Sequence, residues 1–359
     1  MQIKIPFRFI SMSLAFLYLI MPIIFCYPIR VVLGLPQAYW VDFSLGSVYS
    51  VVVFLLFIFM PKVIIIDTCR TPNFDRSCAF LILIITAYFI FVGMNLDTFF
   101  YSDKVAAHLA YEELNEQYHL RAAYNIGLVF VVLSVYSNGF RGYHLFLFLI
   151  PVVFEAIYSK HNYATHVLIY LFLWVWNSYK GKKGTIFFLF SIVFGILLAT
   201  RFILFSSLQS SYMESLAAFF GEFTISWQAI IQALVFSNNM KYVDSNGAWY
   251  SDILSRNSGL DIGLAGNPVA EAIFYFGDFA ILWLLFSSIC IIFLMRNSKR
   301  HSAIALAGFF LVFYMRDVMR TGFGMGLSIL IKGVLIYGLI FAFKSFLYRQ
   351  AKRGLIIRR

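Results

Sequence analysis

Charge is what this sequence has least of. Only 13% of its 359 residues are Asp, Glu, Lys or Arg, against about 25% in an ordinary soluble domain, while 61% are hydrophobic and 19% aromatic. A soluble enzyme folded around one core is thereby excluded, because most of the chain falls into apolar runs of roughly 17–25 residues, the length that crosses about 30 Å of hydrocarbon as a helix. Cysteine is sparse as well. Cys26, Cys69, Cys78 and Cys290 are scattered, in neither a metal-binding spacing nor a disulfide framework. The chain also lacks a P-loop, an HExxH, a GxSxG and an Asp-x-Asp pair of the kind that holds a sugar-nucleotide metal. No cofactor is expected, and metal catalysis is disfavoured.

What is present is a series of membrane-length segments. A sliding window of about 19 residues picks out ten candidate helices, near 9–27, 44–61, 78–95, 122–137, 144–158, 164–179, 185–204, 268–294, 302–316 and 326–345. The first, SMSLAFLYLIMPIIFCY, follows Lys4 and Arg8 as a signal peptide would, but it is long and lacks a small-residue cleavage site, so it reads as a retained helix. The expected fold is an all-α integral membrane protein in three parts: helices 1–7 over residues 1–201, a large loop over 202–267, and helices 8–10 with a basic tail over 268–359.

Acids are the scarcer charge, 17 against 28 Lys and Arg, and the basic excess is a topology signal. With the N-terminus in the cytoplasm, the cytoplasmic segments hold 18 of the 28 basic residues beside two acids, Asp67 and Asp75. The positive-inside rule therefore puts both termini inside. Loops on that side are too short to fold a nucleotide-binding domain. The net charge of +11 is no nucleic-acid footprint, since no basic patch sits on a soluble domain, and a tail such as YRQAKRGLIIRR meets anionic lipid headgroups. Outside lie 96–121, which reads as an acidic surface helix, and the loop over 202–267. That loop contains SLQSSYMESLAAFFGEFTISWQAIIQALVF, whose apolar runs are short for a span, as expected of interfacial or re-entrant helices, and continues in an Asn-, Ser- and Gly-rich stretch.

Ionisable groups at a membrane boundary are costly to hold there, which makes each a functional candidate. Arg201 ends the seventh span, and Arg316 and Arg320 in FYMRDVMRTGFG share a face if the ninth helix continues through them. A guanidinium keeps its charge and grips phosphate oxygens with paired donors, so these arginines, with Arg256, suit a lipid-linked pyrophosphate. The plainer alternative is that Asp317 neutralises Arg320 while Arg201 only reaches for headgroups. Glu271, Tyr275 and Asp278 recur at i, i+4 and i+7, which places them on one face of the eighth helix, with Asn267 as its cap and Pro268 as its first residue. That helix end attracts an anion, or Glu271 simply complements the dipole of its own helix. Glu222, in FFGEF, is a carboxylate in apolar company, suited to act as a base or to pair with an arginine. His161 and His166 flank a turn near Glu155, as a base or as ordinary polar packing. GFGMG at 322–326 reads as small-residue helix packing.

Several of these stretches together resemble the Wzy-type O-antigen polymerases, the polytopic repeat-unit polymerases of the bacterial inner membrane. They are the span-ending Arg201 with FFGEF after it, GLAGNPVAEAIFYFG at the start of a span, and the arginine-bearing YMRDVMRTGFG. The likeness covers the topology of the whole chain, with its motifs in the second half. It implies a metal-independent, GT-C-like membrane glycosyltransferase with a large periplasmic loop over a cavity. Such an enzyme moves a growing glycan from an undecaprenyl-pyrophosphate donor onto the terminal sugar of an undecaprenyl-pyrophosphate-linked repeat unit, beside a chain-length regulator as partner. On that resemblance Arg201, Arg320, Arg316 and Arg256 hold the donor pyrophosphate, and Glu222 or Glu271 deprotonates the acceptor hydroxyl. Trp227, Trp249, Tyr250, Tyr275 and Asp278 then contact the glycan. An O-antigen ligase shares this donor and architecture but delivers to lipid A-core, and a rival of another class is a non-enzymatic flippase of lipid-linked oligosaccharide, which would be expected to have two pseudo-symmetric helix halves where here the polar mass is in one external loop.

Overall fold

The computed structural model describes residues 2–24, 40–67, 72–94, 104–158, 163–179 and 266–357, with short stretches at 181, 184–186, 227, 229–234, 250 and 253–254. In chain order its elements are β1 (Gln2–Ile5), α1 (Phe7–Ala15), α2 (Trp40–Phe57), β2 (Ile64–Asp67), α3 (Pro72–Met94), α4 (Lys104–Tyr118) and α5 (Leu120–Asn138). There follow α6 (His144–Ile157), α7 (Ala164–Ser178), α8 (Pro268–Phe276), α9 (Ala280–Asn297), α10 (Ser302–Thr321) and α11 (Phe323–Ile357).

Among the described residues six helical segments are long and apolar enough to cross a membrane: Phe7–Ile24, Phe74–Gly93, Leu120–Asn138, Pro268–Asn297, Ser302–Thr321 and Phe323–Phe343. Ser44–Phe57 and His144–Ile157 are apolar but shorter, and the helix expected over 185–204 falls almost wholly outside the described residues. The chain is therefore a mostly helical, multi-pass membrane protein. Its outer surface agrees: Leu339 is 71% exposed and Phe279 67%, which suits lipid and not water. Two hydroxyls inside the spans bond back to their own helix, Ser11 to the Phe7 carbonyl at 2.9 Å and Ser287 to that of Trp283 at 2.7 Å, so neither faces hydrocarbon unsatisfied.

The chain divides into two compact units, residues 1–5 with 65–183 and residues 6–64 with 184–359. In the first, α3 packs on α5 and α6. An element outside the expected all-α fold is the two-stranded sheet of β1 and β2, in which Ile3, Ile5, Ile64 and Ile66 alternate inward at the strand period. Asn177 of α7 completes its edge, accepting from the Lys4 N–H at 2.8 Å and donating to the Lys4 carbonyl at 3.0 Å. The acidic helix expected over 96–121 is α4, joined to α5 through His119 alone in the left-handed region (φ 51°). Arg121 locks that joint, its backbone N–H on the Asn115 side chain and its guanidinium on Glu112 at 2.7 Å.

In the second unit the arginines of two helices close the end of a third. Beyond the C-terminus of α2, the Arg8 side chain donates to the Met60 carbonyl (2.7 Å) and Arg296 to that of Phe59 (2.9 Å). These are carbonyls that a helix end leaves without an intrahelical partner. α10 and α11 are antiparallel neighbours turned at Gly322. A Cβ on Gly333 would lie 2.6 Å from the Cα of Ala307, so the two backbones meet as small residues allow in membranes. Gly333→Val is expected to force them apart and destabilise the unit by about 1–3 kcal/mol, read as a lower apparent Tm in detergent. Gly338→Val on the same helix, where a Cβ meets nothing within 4 Å, is the matched control.

Candidate functional site

The second unit gathers its polar groups where α8 begins and α10 turns into α11. Asn267 is extended (φ −155°, ψ 145°) and caps α8, its side-chain oxygen accepting from the Val269 N–H at 2.8 Å with Pro268 at the first helical position. The cap and first residue expected from the sequence are thus in place. Asn267 is fully buried and held from three sides. Its amide group donates to the Tyr18 carbonyl (3.2 Å), its carbonyl accepts from the Glu271 N–H (2.9 Å), and its own N–H donates to the Tyr250 hydroxyl (2.9 Å). That hydroxyl in turn donates to the Thr321 carbonyl at 2.5 Å, with the Asn267 carbonyl at 3.1 Å. One phenol therefore ties the start of α8 to the last residue of α10.

Glu271 sits in the first turn of α8 but serves another helix. Its two carboxylate oxygens lie 3.1 and 3.2 Å from the N–H of Gly324, at the N-terminus of α11. The Phe323 N–H lies close to the same carboxylate, and the indole N–H of Trp283 faces it without reaching a hydrogen bond. A helix N-terminus carries partial positive charge and free N–H donors, so a carboxylate there is both neutralised and bonded. Gly322 makes the approach possible. It has φ 142° and ψ 171°, a region open only to glycine, and a Cβ there would fall on the Glu271 carboxyl group. A Cβ on Gly324 would lie 2.7 Å from Glu271 Oε1. The GFGMG stretch is therefore more than small-residue packing: its first two glycines admit a carboxylate.

The expected stripe of Glu271, Tyr275 and Asp278 is not formed. α8 stops at Phe276, Gly277 reverses the backbone at φ 51°, and Gly277–Phe279 is a 3₁₀ turn before α9, so the expected eighth helix is two. Glu271 is 7% exposed and Tyr275 56%; Asp278 is exposed on the turn. Tyr275 packs edge-on against Tyr250, ring centres 6.0 Å apart. Tyr250 itself is 1% exposed with its hydroxyl committed, and Trp227, buried, packs on α2 at Gly46. Neither ring presents an open face here. Burial, reinforced by the nearby Glu271, pushes the Tyr250 phenol well above its ordinary range, which keeps it a donor.

α10 does run through Arg316 and Arg320, which stand one turn apart in its last two turns. Arg316 is buried and its Nη1 is 3.4 Å from Asp317 Oδ1; Arg320 is half-buried in the final turn, where a cation complements the helix dipole. Asp317 thus lies within ion-pair distance of Arg316. Thr321, between Arg320 and the Gly322 turn, bonds the Asp317 carbonyl at 2.6 Å. Arg201, Glu222, Trp249 and Arg256 lie outside the described residues.

The first unit holds two polar clusters that sequence spacing did not reveal. Ser134 and Tyr143 both donate to Asp75 Oδ1, at 2.5 and 3.1 Å. His144, fully buried, bonds Ser134 through Nε2 (2.9 Å) and the Tyr170 hydroxyl through Nδ1 (2.7 Å), and Tyr170 donates to the Arg141 carbonyl (2.9 Å). With its proton given to Asp75, the Ser134 oxygen is left to accept from His144 Nε2–H. Glu155, also fully buried, accepts from the Tyr163 N–H at 2.9 Å and the Tyr111 hydroxyl at 3.3 Å. His166 lies against the rings of Tyr124 and Tyr163, which stack at 3.7 Å, and His161 is outside the described residues. Burial, with the Glu155 charge behind it, pushes the Tyr111 phenol above its ordinary range. Among the described residues no three His, Cys, Asp or Glu side chains converge as they would on a metal ion. No protein-family model matches this chain, and neither the curated proteins nor the solved structures provide a significant match.

Proposed function

We propose that the chain is a membrane glycosyltransferase of the O-antigen polymerase kind. It would pass a growing glycan from an undecaprenyl-pyrophosphate donor to a lipid-linked repeat unit at the outer face of the bacterial inner membrane. The observation that carries this reading is the placing of Arg316 and Arg320. Two guanidinium groups, one buried and one half-buried, occupy successive turns at the end of an apolar helix, beside the turn where α8 and α11 begin. Arginine at such depth is costly; beside the Asp317 contact of Arg316, phosphate oxygens are what a guanidinium fork grips with paired donors. In the proposed reaction Arg316 and Arg320, with Arg201, bind the donor pyrophosphate and stabilise it as it leaves, and Glu222 takes the acceptor proton. Glu271 holds the N-terminus of α11 against α8 and so keeps the turn after Arg320 in place.

The test is chain extension by purified protein from purified lipid-linked repeat units. Arg316→Ala and Arg320→Ala are expected to lose roughly 100-fold in rate, as when one transition-state donor is removed, and Arg320→Ala, half-buried, to do so with an apparent Tm close to wild type. Wild-type protein that lengthens no glycan, or arginine variants that extend chains at the wild-type rate, would overturn the proposal. Polymer delivered instead to lipid A-core would assign the ligase reaction.

A further inference from the structure

The last turn of α10 carries Arg320, and its end is closed by a side chain from a remote part of the chain. A helix leaves its final carbonyls without intrahelical donors, so each must find one elsewhere. Here the Thr321 hydroxyl bonds the Asp317 carbonyl (2.6 Å) and the Gly322 N–H bonds that of Val318 (2.8 Å). The Thr321 carbonyl takes its hydrogen bond from the Tyr250 hydroxyl, 71 residues away in sequence. Tyr250 does not come alone. Tyr250, Ile253 and Leu254 are helical and buried at i, i+3 and i+4, the spacing of one helix face, and the Tyr250 ring lies against Phe274 and Tyr275 of α8. Gly266 brings a third segment to the same point. A Cβ there would fall on the Tyr250 hydroxyl and lie 2.9 Å from the Arg320 carbonyl oxygen, so this backbone passes against Arg320 itself.

Phenylalanine would fill the same space as the Tyr250 ring. What the hydroxyl adds is a donor aimed at one carbonyl, that of the residue next to the arginine. Without it the last turn of α10 is free to fray, and a long side chain on a fraying turn has more freedom to lose when it closes on an anion. Where paired donors must meet phosphate oxygens, a misplacement of about 1 Å is enough to cost roughly 100-fold. We infer that Tyr250 is a positioning residue: its hydroxyl fixes the last turn of α10 and thereby aims the Arg320 guanidinium at the anionic group it binds. This role rests on the pyrophosphate reading of Arg320, and it takes the place of the glycan contact expected from the resemblance, since Tyr250 is buried.

The experiment titrates the full chain in detergent with farnesyl pyrophosphate, and with farnesol as the uncharged control, at a temperature where intrinsic fluorescence shows every variant folded. Wild type is expected to prefer the pyrophosphate, Arg320→Ala to bind it at least tenfold more weakly, and Tyr250→Phe about tenfold more weakly. Adding Tyr250→Phe to Arg320→Ala should cost nothing further, because a positioning residue has no effect once the group it positions is gone. Gly266→Ala, which drives the Tyr250 hydroxyl and the Arg320 carbonyl apart with the phenol kept, should repeat the loss. Gly333→Val, destabilised about three turns further along α11, should bind as wild type does. Wild-type affinity in Tyr250→Phe beside a weakened Arg320→Ala overturns the positioning role and leaves the arginine reading standing. A further loss in the double variant overturns it as well, since Tyr250 then acts independently of Arg320, and so does an equal loss in Gly333→Val, which traces the effect to stability alone. Wild type with no preference for the pyrophosphate, or Arg320→Ala at wild-type affinity, overturns the arginine reading and the positioning role together.

Discussion

Replacing Glu271 with alanine is expected to destabilise the second unit by about 3 kcal/mol, because it removes a charge-assisted bond to the Gly324 N–H and the favourable placing of an anion at the start of α11. For a protein of this size that is a fall of roughly 6–12 °C in apparent Tm, read by intrinsic fluorescence in detergent. Glu271→Gln keeps an acceptor but not the charge and should cost about half as much. Gly322→Val attacks the same contact from the other side. Its backbone conformation alone costs about 1–3 kcal/mol for a residue with a Cβ, and that Cβ falls on the Glu271 carboxyl group. The double variant Gly322→Val, Glu271→Ala should therefore lose less than the sum of the two single variants, since the colliding group is gone. Strict additivity would mean that the glycine is required for its backbone angle and not for the carboxylate. The Gln variant also bears on chemistry. Chain extension abolished in Glu271→Gln at a nearly unchanged Tm would give the carboxylate a role beyond holding α11.

What could be read beforehand follows from how local each signal is. Membrane-length helices were legible because hydropathy accumulates over some twenty residues, and the Asn267–Pro268 cap because a cap is made by neighbours in sequence. The break at Gly277 was not, since hydropathy runs on through IFYFGDFAILWLLF while one backbone angle reverses the chain. Glu271 stands out in the sequence as a carboxylate in an apolar run, yet its partner stands 53 residues away in a stretch whose glycines advertise size, not the N–H groups they expose. The contacts of His144 are hidden for a similar reason. Its partners Ser134 and Tyr170 are 10 and 26 residues off and Ser134's carboxylate is 59 away, spacings that belong to no motif. The sheet of β1 and β2 escaped because two four-residue strands leave no periodic trace that an apolar background does not drown.

Tyr250→Phe should show how much of this arrangement hangs on one oxygen. The ring packs against Phe274 and Tyr275 and would stay, so the variant isolates the hydroxyl. Without it the Asn267 N–H loses its acceptor and the Thr321 carbonyl its donor, both away from water. Each such loss costs about 1–3 kcal/mol, so a total of about 2–4 kcal/mol is expected. The loss should be local before it is global, with faster hydrogen exchange at the Asn267 and Val269 amides than in the rest of the unit. The pH dependence provides a second check. Because burial raises the phenol above its ordinary range, the folded protein holds that proton more tightly than the unfolded chain does. Its contribution is thus complete below about pH 10, the ordinary phenol value, and declines as the pH rises beyond it. The stability gap between wild type and Tyr250→Phe should stay constant from about pH 6 to 9 and narrow above about pH 10, and a gap that instead changes below pH 9 would mean that another group controls the joint.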